Sequence, residues 1–341
     1  MRFYHPLLFA LDAERAHRLT IRMLSAWGAA GTPLAPGAGR DLPVTIAGLR
    51  FPNPVGLAAG VDKDAEAVAG FFALGFGSVE VGTLTPRAQP GNPQPRLFRL
   101  VEDRAVINRM GFNNGGLDAA LDRIARMPQR RGVLGINVGA NKESVAGDSA
   151  IADYVAGITK AAPFADYLTI NISSPNTPGL RNLQAQPALG ELIAACDAAR
   201  HTGGKGVPLF LKVAPDLDRA GLEVAARAAI DGGIDALVVS NTTISRPAGL
   251  RSVHAGETGG LSGAPLAELA RAKLAEARAI TGGQLPLVSV GGIGSPDEAQ
   301  RRLDAGASLV QLYSALVFEG PGLARQIVNG LRASRPPAPA F

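Results

Sequence analysis

Residues 285–316 read LPLVSVGGIGSPDEAQRRLDAGASLVQLYSAL, and the fold follows from this stretch. Two short apolar runs, Leu285–Gly292 and Leu309–Leu316, bracket a segment over 296–305 with helical periodicity. Near-continuous apolar runs of this length suit strands buried on both faces, as in a parallel sheet covered by helices.

Working outward, the same unit recurs. Pro54–Gly60 (PVGLAAG), Ser78–Thr85 (SVEVGTLT), Val133–Gly139 (VLGINVG), Tyr167–Ser174 (YLTINISS), Pro208–Val213 (PLFLKV) and Ala236–Thr242 (ALVVSNT) are further runs. Helical patterns follow the runs at 64–74, 115–127, 148–162, 187–200, 216–232, 264–280, 296–305 and 320–333. Eight strand–helix units in about 280 residues predict a closed (β/α)₈ TIM barrel, an α/β fold, rather than an open sheet. Two hairpins fall outside the eight units. Val44–Phe51, turning at Gly48, is placed to close the barrel's bottom. Leu97–Arg109, turning at Glu102-Asp103, is inserted after strand 2, on the face where barrel active sites are built.

The first forty residues differ. Leu7–Leu11 is a short apolar helical run, and Asp12 is an N-cap for a second helix reaching about Trp27. Ala16, Leu19, Met23 and Trp27 form one stripe of it, Arg15, Arg18 and Arg22 another. The pattern reads first as a helix packed on the barrel; the sharper alternative is one lying on a membrane surface with its arginines toward anionic lipid. Gly31–Gly39 (GTPLAPGAG) reads as a linker, so residues 1–38 form an N-terminal helical segment and 39–341 the barrel, with a frayed Pro/Ala tail at 336–341.

Composition excludes several classes. The chain has 341 residues, 46% apolar and 18% charged, which argues against disorder. Its single cysteine, Cys196, leaves no disulfide scaffold and points to a reducing compartment. No apolar run is long enough to span a membrane, and Asp12 and Glu14 interrupt the first apolar stretch, against a secretory signal. Net charge is +5, concentrated in the first forty residues, where five arginines face two acids; this is no nucleic-acid stripe.

Four asparagines, Asn108, Asn137, Asn171 and Asn241, sit at or near the ends of strands, where propensity does not put them. Amides offer donors and an acceptor together, which suits a planar ring with alternating C=O and N–H groups. After strand 4 comes NISSPNTPGL (171–180), whose Ser173 or Ser174 is a candidate nucleophile or base. No nucleophile elbow is present, so either serine needs an activated neighbour or a proton relay. His5, His17, His201 and His254 lack metal-ligand spacing, so no metal is expected. Only six lysines stand against 28 arginines, and two of them, Lys63 and Lys212, fall at barrel strands. Their readings are an ion pair, a Schiff base, or a cation beside an anionic cofactor ring. Gly291-Gly292-Ile293-Gly294 after strand 7 and Tyr313-Ser314 after strand 8 stand where such barrels bind phosphate.

Together, NPVGLAAGVDKD (53–64), VEVGTLTPRAQPGNPQPRLFR (79–99), NRMGFNN (108–114), NISSPNTPGLR (171–181), SNTT (240–243), GGLSG (259–263) and VGGI (290–293) resemble class 2 dihydroorotate dehydrogenase over nearly the whole chain. The resemblance implies FMN on top of the barrel, oxidation of dihydroorotate to orotate in UMP biosynthesis, and reoxidation by quinone. It implies Ser174 as the base taking the C5 proton while hydride leaves C6. Class 1 relatives use cysteine, whereas Cys196 falls in an expected helix. Substrate contacts carry over to Lys63, Asn108, Arg109, Met110, Gly111, Phe112, Asn171, Asn176, Asn241 and Thr242. Flavin contacts carry over to Ala59, Gly60, Val61, Asp62, Lys63, Thr83, Asn137, Asn171, Lys212, Ser240, Gly263, Gly292, Tyr313 and Ser314. Ser240 stands where some relatives carry threonine, and keeps the hydroxyl. His17, Arg99 and Tyr313 are the expected polar contacts of a quinone path. A monomer held peripherally on the cytoplasmic face of the bacterial inner membrane by its N-terminal helices is implied. A Schiff-base aldolase and a phosphate-binding barrel without turnover are the competing readings from the residues alone.

Overall fold

A computed structural model describes residues 5–35, 42–127, 130–147, 149–202 and 206–334. The end of the expected linker, the boundary at 38/39 and the 336–341 tail lie outside the described residues. Thirteen strands are present among them. A hairpin of β1 (Val44–Ile46) and β2 (Leu49–Phe51) precedes β3 (Val55–Leu57) and β4 (Ser78–Leu84). An excursion with β5 (Leu97–Leu100) and β6 (Ala105–Asn108) follows, then β7 (Val133–Val138), β8 (Tyr167–Asn171), β9 (Leu209–Val213) and β10 (Ala236–Val239). The last are β11 (Gly260–Gly263), β12 (Leu287–Val290) and β13 (Leu309–Leu312).

β3, β4, β7, β8, β9, β10, β12 and β13 pair in parallel and close on themselves, the expected TIM barrel. Two packed layers follow from strand alternation, because successive side chains point in and out of the barrel. Outward residues such as Leu57, Ile136, Leu211 and Leu287 meet the surrounding helices. Inward residues near the barrel's N-terminal end are apolar: Ile46 and Phe51 of the β1–β2 hairpin close it beneath Tyr167 and Phe210, whose rings stack 4.4 Å apart. Higher up, the inward positions turn polar with Glu80, Asn137, Thr169, Asn171, Lys212 and Gln311, all buried.

The sequence pattern missed some pieces. The hairpin after strand 2 gains a third strand, β11, antiparallel to β6 with Gly260 opposite Asn108. Contiguity in sequence could not reveal this pairing across some 150 residues. The run at 309–316 ends as a strand at Leu312 and continues as a short helix, Ala315–Glu319. An apolar run this short does not distinguish helix from strand by periodicity. A further helix, Lys142–Ala146, precedes the expected one, which spans Ala150–Ala161.

At the N-terminus, α1 (His5–Ala10) leads to α2 (Ala13–Ala29). The Asp12 carboxylate caps α2, accepting from the amides of Glu14 and Arg15 at 3.0 Å each. The stripe expected to face one way divides. Ala16 is buried, but Leu19 and Met23 are 41% and 63% exposed, and the packed face runs through Ile21, Leu24 and Gly28 instead. Gly28 and Gly70 bring α2 directly onto the helix Val68–Ala73; a Cβ on Gly70 would stand 2.6 Å from the Leu24 carbonyl oxygen. Gly70→Val is therefore expected to lower stability by about 1–3 kcal/mol, read as an earlier denaturation midpoint. An unchanged midpoint would show that α2 does not rest on this contact.

Candidate active site

At the C-terminal end of the barrel the ends of the strands and the loops beyond them surround a cavity of about 1180 Å³, part of it open to solvent. Of the residues expected at the site, Ala59, Gly60, Lys63, Thr83, Asn108, Met110, Gly111, Phe112, Asn171, Ser174, Asn176, Lys212, Ser240, Asn241, Thr242, Gly263, Gly292, Tyr313 and Ser314 line it. They arrive from seven of the eight barrel strands or the loops after them, and from the β5–β6–β11 sheet that roofs one side.

An amide chain organises one wall. Asn171 Nδ2 donates to Thr83 Oγ1 (2.9 Å) and to Asn137 Oδ1 (3.1 Å), and Thr83 Oγ1 donates to Asn137 Oδ1 (2.6 Å). Asn171 Oδ1 accepts from the Ser173 hydroxyl (2.9 Å), whose oxygen accepts from Asn241 Nδ2 (2.9 Å). Ser173 is thereby spent on the network, whereas Ser174 lines the cavity and its Oγ accepts, among the described residues, only the Asn176 amide, at 3.2 Å. The two serines that the sequence left level are thus distinguished by partners. Asn176 Nδ2 in turn donates to Asn108 Oδ1 at 3.1 Å, tying the loop after β8 to the end of β6.

Two lysines enter the cavity without a hydrogen-bond or ion-pair partner among the described residues. Burial pushes Lys63 down to about 8, with nearby Asp64 opposing. Burial also lowers Lys212, with the carboxylate of Glu80 opposing. The amides of Gly292 and Gly294, which line the same cavity, likewise have no hydrogen-bond partner among the described residues. Gly292 has φ +73°, and a Cβ there would stand 2.5 Å from the backbone of Ala267, so only glycine leaves this opening. Beside it, Ser314 Oγ lies 2.6 Å from Ser262 Oγ.

Several expected contacts lie elsewhere. Asn137 is fully buried behind Thr83 and Asn171, and holds them rather than lining the cavity. The Asp62 carboxylate accepts from the amides of Glu66 and Ala67 at 2.8 Å, and burial raises it to about 6. Arg109 turns outward to Glu257 (2.7 Å) and over the Phe98 ring. Arg99 donates to the carbonyls of Leu8, Phe9 and Leu11, fastening α1 and the turn after it to β5. Val61 and His17 border a separate, smaller cavity between α2 and the barrel, which Lys63 and Met110 share with the main one. Burial, then Lys63 and Arg18, push His17 down to about 4, so it is a neutral imidazole at pH 7.

Sequence reasoning overlooked Arg104, Ser262 and Gln311, which also line the cavity, and Glu80 beneath it. Gln311 and Glu80 lie within apolar runs, and only their inward alternation could have marked them. Arg104 and Ser262 belong to the β5–β6–β11 sheet, whose third strand was not foreseen.

The fold and site together define a TIM-barrel enzyme whose cavity suits an anionic ligand with a polar planar part. A family model described as dihydroorotate dehydrogenase matches residues 41–334. The dihydroorotate dehydrogenase (quinone) of Erythrobacter litoralis is 57% identical, over 96% of this chain and 92% of its own length. That of Novosphingobium aromaticivorans is 56% identical, again over 96% and 92%. A crystal structure of the Eimeria tenella DHODH with ferulenol superposes with a TM-score of 0.86 at 41% identity, covering 92% of this chain and 90% of that one. The chain belongs to the dihydroorotate dehydrogenase family.

Proposed function

We propose that this chain oxidises dihydroorotate to orotate with FMN, hands the electrons to a membrane quinone, and so serves de novo pyrimidine biosynthesis. The observation that carries the reading is the cavity's mixed polarity. Unpartnered Lys63 and Lys212 line it together with the open amides of Gly292 and Gly294, which fits a flavin ring with a phosphate tail. FMN, when bound, supplies the acceptor for the hydride from C6 of the substrate.

The chain's own residues do the rest. Ser174, with its Oγ open to the cavity, takes the C5 proton, and loss of the C5 proton and C6 hydride leaves the C5=C6 double bond of orotate. Asn108, Asn171, Asn176 and Asn241 offer donors and acceptors to the imide and amide edges of the pyrimidine. Their mutual hydrogen bonds fix the amides before substrate arrives, so little ordering is left to binding. Lys63 faces the substrate carboxylate, and Lys212 stabilises negative charge on the cofactor ring. The backbone around Gly263, Gly292 and Ser314 receives the phosphate.

His17 and Tyr313 border the path for quinone, and Arg99 shapes it by holding α1 in place. Leu11, Leu19 and Met23, exposed beside Arg15 and Arg22, support peripheral attachment to a membrane surface, in this reading the cytoplasmic face of an inner membrane. No described helix is long and apolar enough to cross a membrane. In this reading the working unit is a monomer.

The test is an absorption spectrum of the purified protein before and after anaerobic dihydroorotate. A yellow protein that bleaches supports the reading. A colourless one that borohydride traps onto a carbonyl substrate moves it to Schiff-base chemistry. A pH dependence follows as well. Lys63 is charged below about 8, so orotate affinity is expected to fall as pH rises through that value. Spectral titration with orotate checks this, and Lys63→Met should flatten the profile.

A further inference from the structure

Glu80 is the one acidic side chain in the polar upper layer of the barrel interior, and it is wholly buried. Three neutral donors meet it: Asn137 Nδ2 at 2.7 Å, Gln311 Nε2 at 2.7 Å and the Tyr167 hydroxyl at 3.0 Å. Tyr167 is itself clamped by the Phe210 ring stacked on it and by Phe51, so its hydroxyl is aimed upward at the carboxylate. A carboxylate removed from water at this depth costs several kcal/mol unless a cation balances it. Among the described residues, no charged group touches Glu80.

A buried cation stands in the same interior, Lys212 of β9, in register with Asn171 on β8 and Val238 on β10, both neutral. Lys63 and Arg104 line the same cavity, and burial pushes the Tyr313 phenol there up to about 12. Glu80 reaches Lys212 through a chain of contacts, binding Asn137, which accepts from Asn171, the register partner of Lys212; its carboxylate opposes the desolvation of Lys212 without ion-pair contact among the described residues. We infer that Glu80 is a positioning residue for the redox reaction: from one layer beneath the cavity it keeps Lys212 charged where the cofactor ring needs a cation. Through Asn137 the same carboxylate also anchors Thr83 and Asn171, so charge and amide geometry are set from a single buried point. The inference rests on the FMN reading above.

Glu80→Gln isolates the charge. The amide of Gln311 has a buried oxygen without a partner, so one amide flip lets it accept from the new side-chain N–H. Tyr167 can turn its hydroxyl to accept as well. The measurement is the midpoint potential of the flavin in the holoenzyme as a function of pH. Where Lys212 is charged in both redox states, one proton accompanies two electrons. Above the pH at which it loses its proton in the oxidised protein, reduction draws that proton back and a second one is taken up, so the slope doubles.

The break between the two slopes is expected at least about one pH unit lower in Glu80→Gln than in the wild type, the scale of losing a nearby opposite charge. It is expected to vanish in Lys212→Met. The charge-swapped double variant Glu80→Gln/Gln311→Glu returns a carboxylate to the same spot, and should move the break back toward the wild-type pH. An unmoved break in Glu80→Gln overturns the inference. If that single variant does not fold, a folded double variant with a break displaced by a unit or more from the wild type overturns it equally. A wild-type protein purified without flavin, and unable to bind added FMN, overturns the FMN reading itself and this inference with it.

Discussion

Replacing Ser174 with alanine is expected to leave FMN and orotate bound while slowing anaerobic flavin reduction by at least about 10²-fold, the scale of a missing general base. The expectation rests on partners rather than on residue type. Ser173, its neighbour, is fully buried and gives its hydroxyl to Asn171 while receiving Asn241, so Ser173→Ala should instead loosen the amide network and weaken orotate binding. Ser174 has a single backbone donor and the cavity before it. Stopped-flow absorbance of the flavin against dihydroorotate concentration separates the two outcomes, since one variant loses the limiting rate and the other the half-saturation point. Ser174→Cys should keep part of the rate with its pH optimum moved, because a thiol ionises more readily near neutrality. Reduction at the wild-type rate in Ser174→Ala would remove this hydroxyl from the chemistry.

The second large effect concerns the surface of α2. Leu19 and Met23 project from it one turn apart, 41% and 63% exposed, while Arg15 and Arg22 stand exposed on the same helix. Leu19→Glu/Met23→Glu is expected to lower affinity for anionic vesicles by about 10²-fold. Each apolar side chain is worth about 1.5–3 kcal/mol when buried in lipid, and each new carboxylate is repelled by the surface. Reoxidation by a long-chain quinone should slow in parallel, whereas flavin reduction by dihydroorotate should not change. The fold should be untouched, because the packed face of α2 is the other one, through Ile21, Leu24 and Gly28. Vesicle sedimentation together with the two half-reactions tests this, and full binding by the double variant would place the membrane contact elsewhere. Added salt should weaken the wild-type interaction, since exposed arginine–lipid attraction is screened within about 10 Å at 0.1 M.

Much of this protein was determined by local sequence alone. Strands buried on both faces are largely apolar, and helices laid over them must be amphipathic, so eight alternations wrote the barrel into the chain before any contact was known. The loops that must end those strands carry the polar residues that a ligand needs, and nineteen of the expected site residues do line one cavity. Tertiary structure decided what depends on distance across the chain. β11 joins β6 because Gly260 comes to lie opposite Asn108, and no local pattern encodes that pairing. Ser174 rather than Ser173 opens to the cavity because Asn241, far along the chain, occupies the other hydroxyl. Asn137 and Arg99 found protein partners that no local pattern names, Glu80 for one and the carbonyls of the α1 segment for the other. The face of α2 that meets the barrel was set by how closely Gly28 and Gly70 approach, a matter of shape that hydrophobic periodicity does not contain. Burial, finally, is a property of the assembled barrel, and it alone makes Lys63, Lys212 and Glu80 more than three ordinary charges.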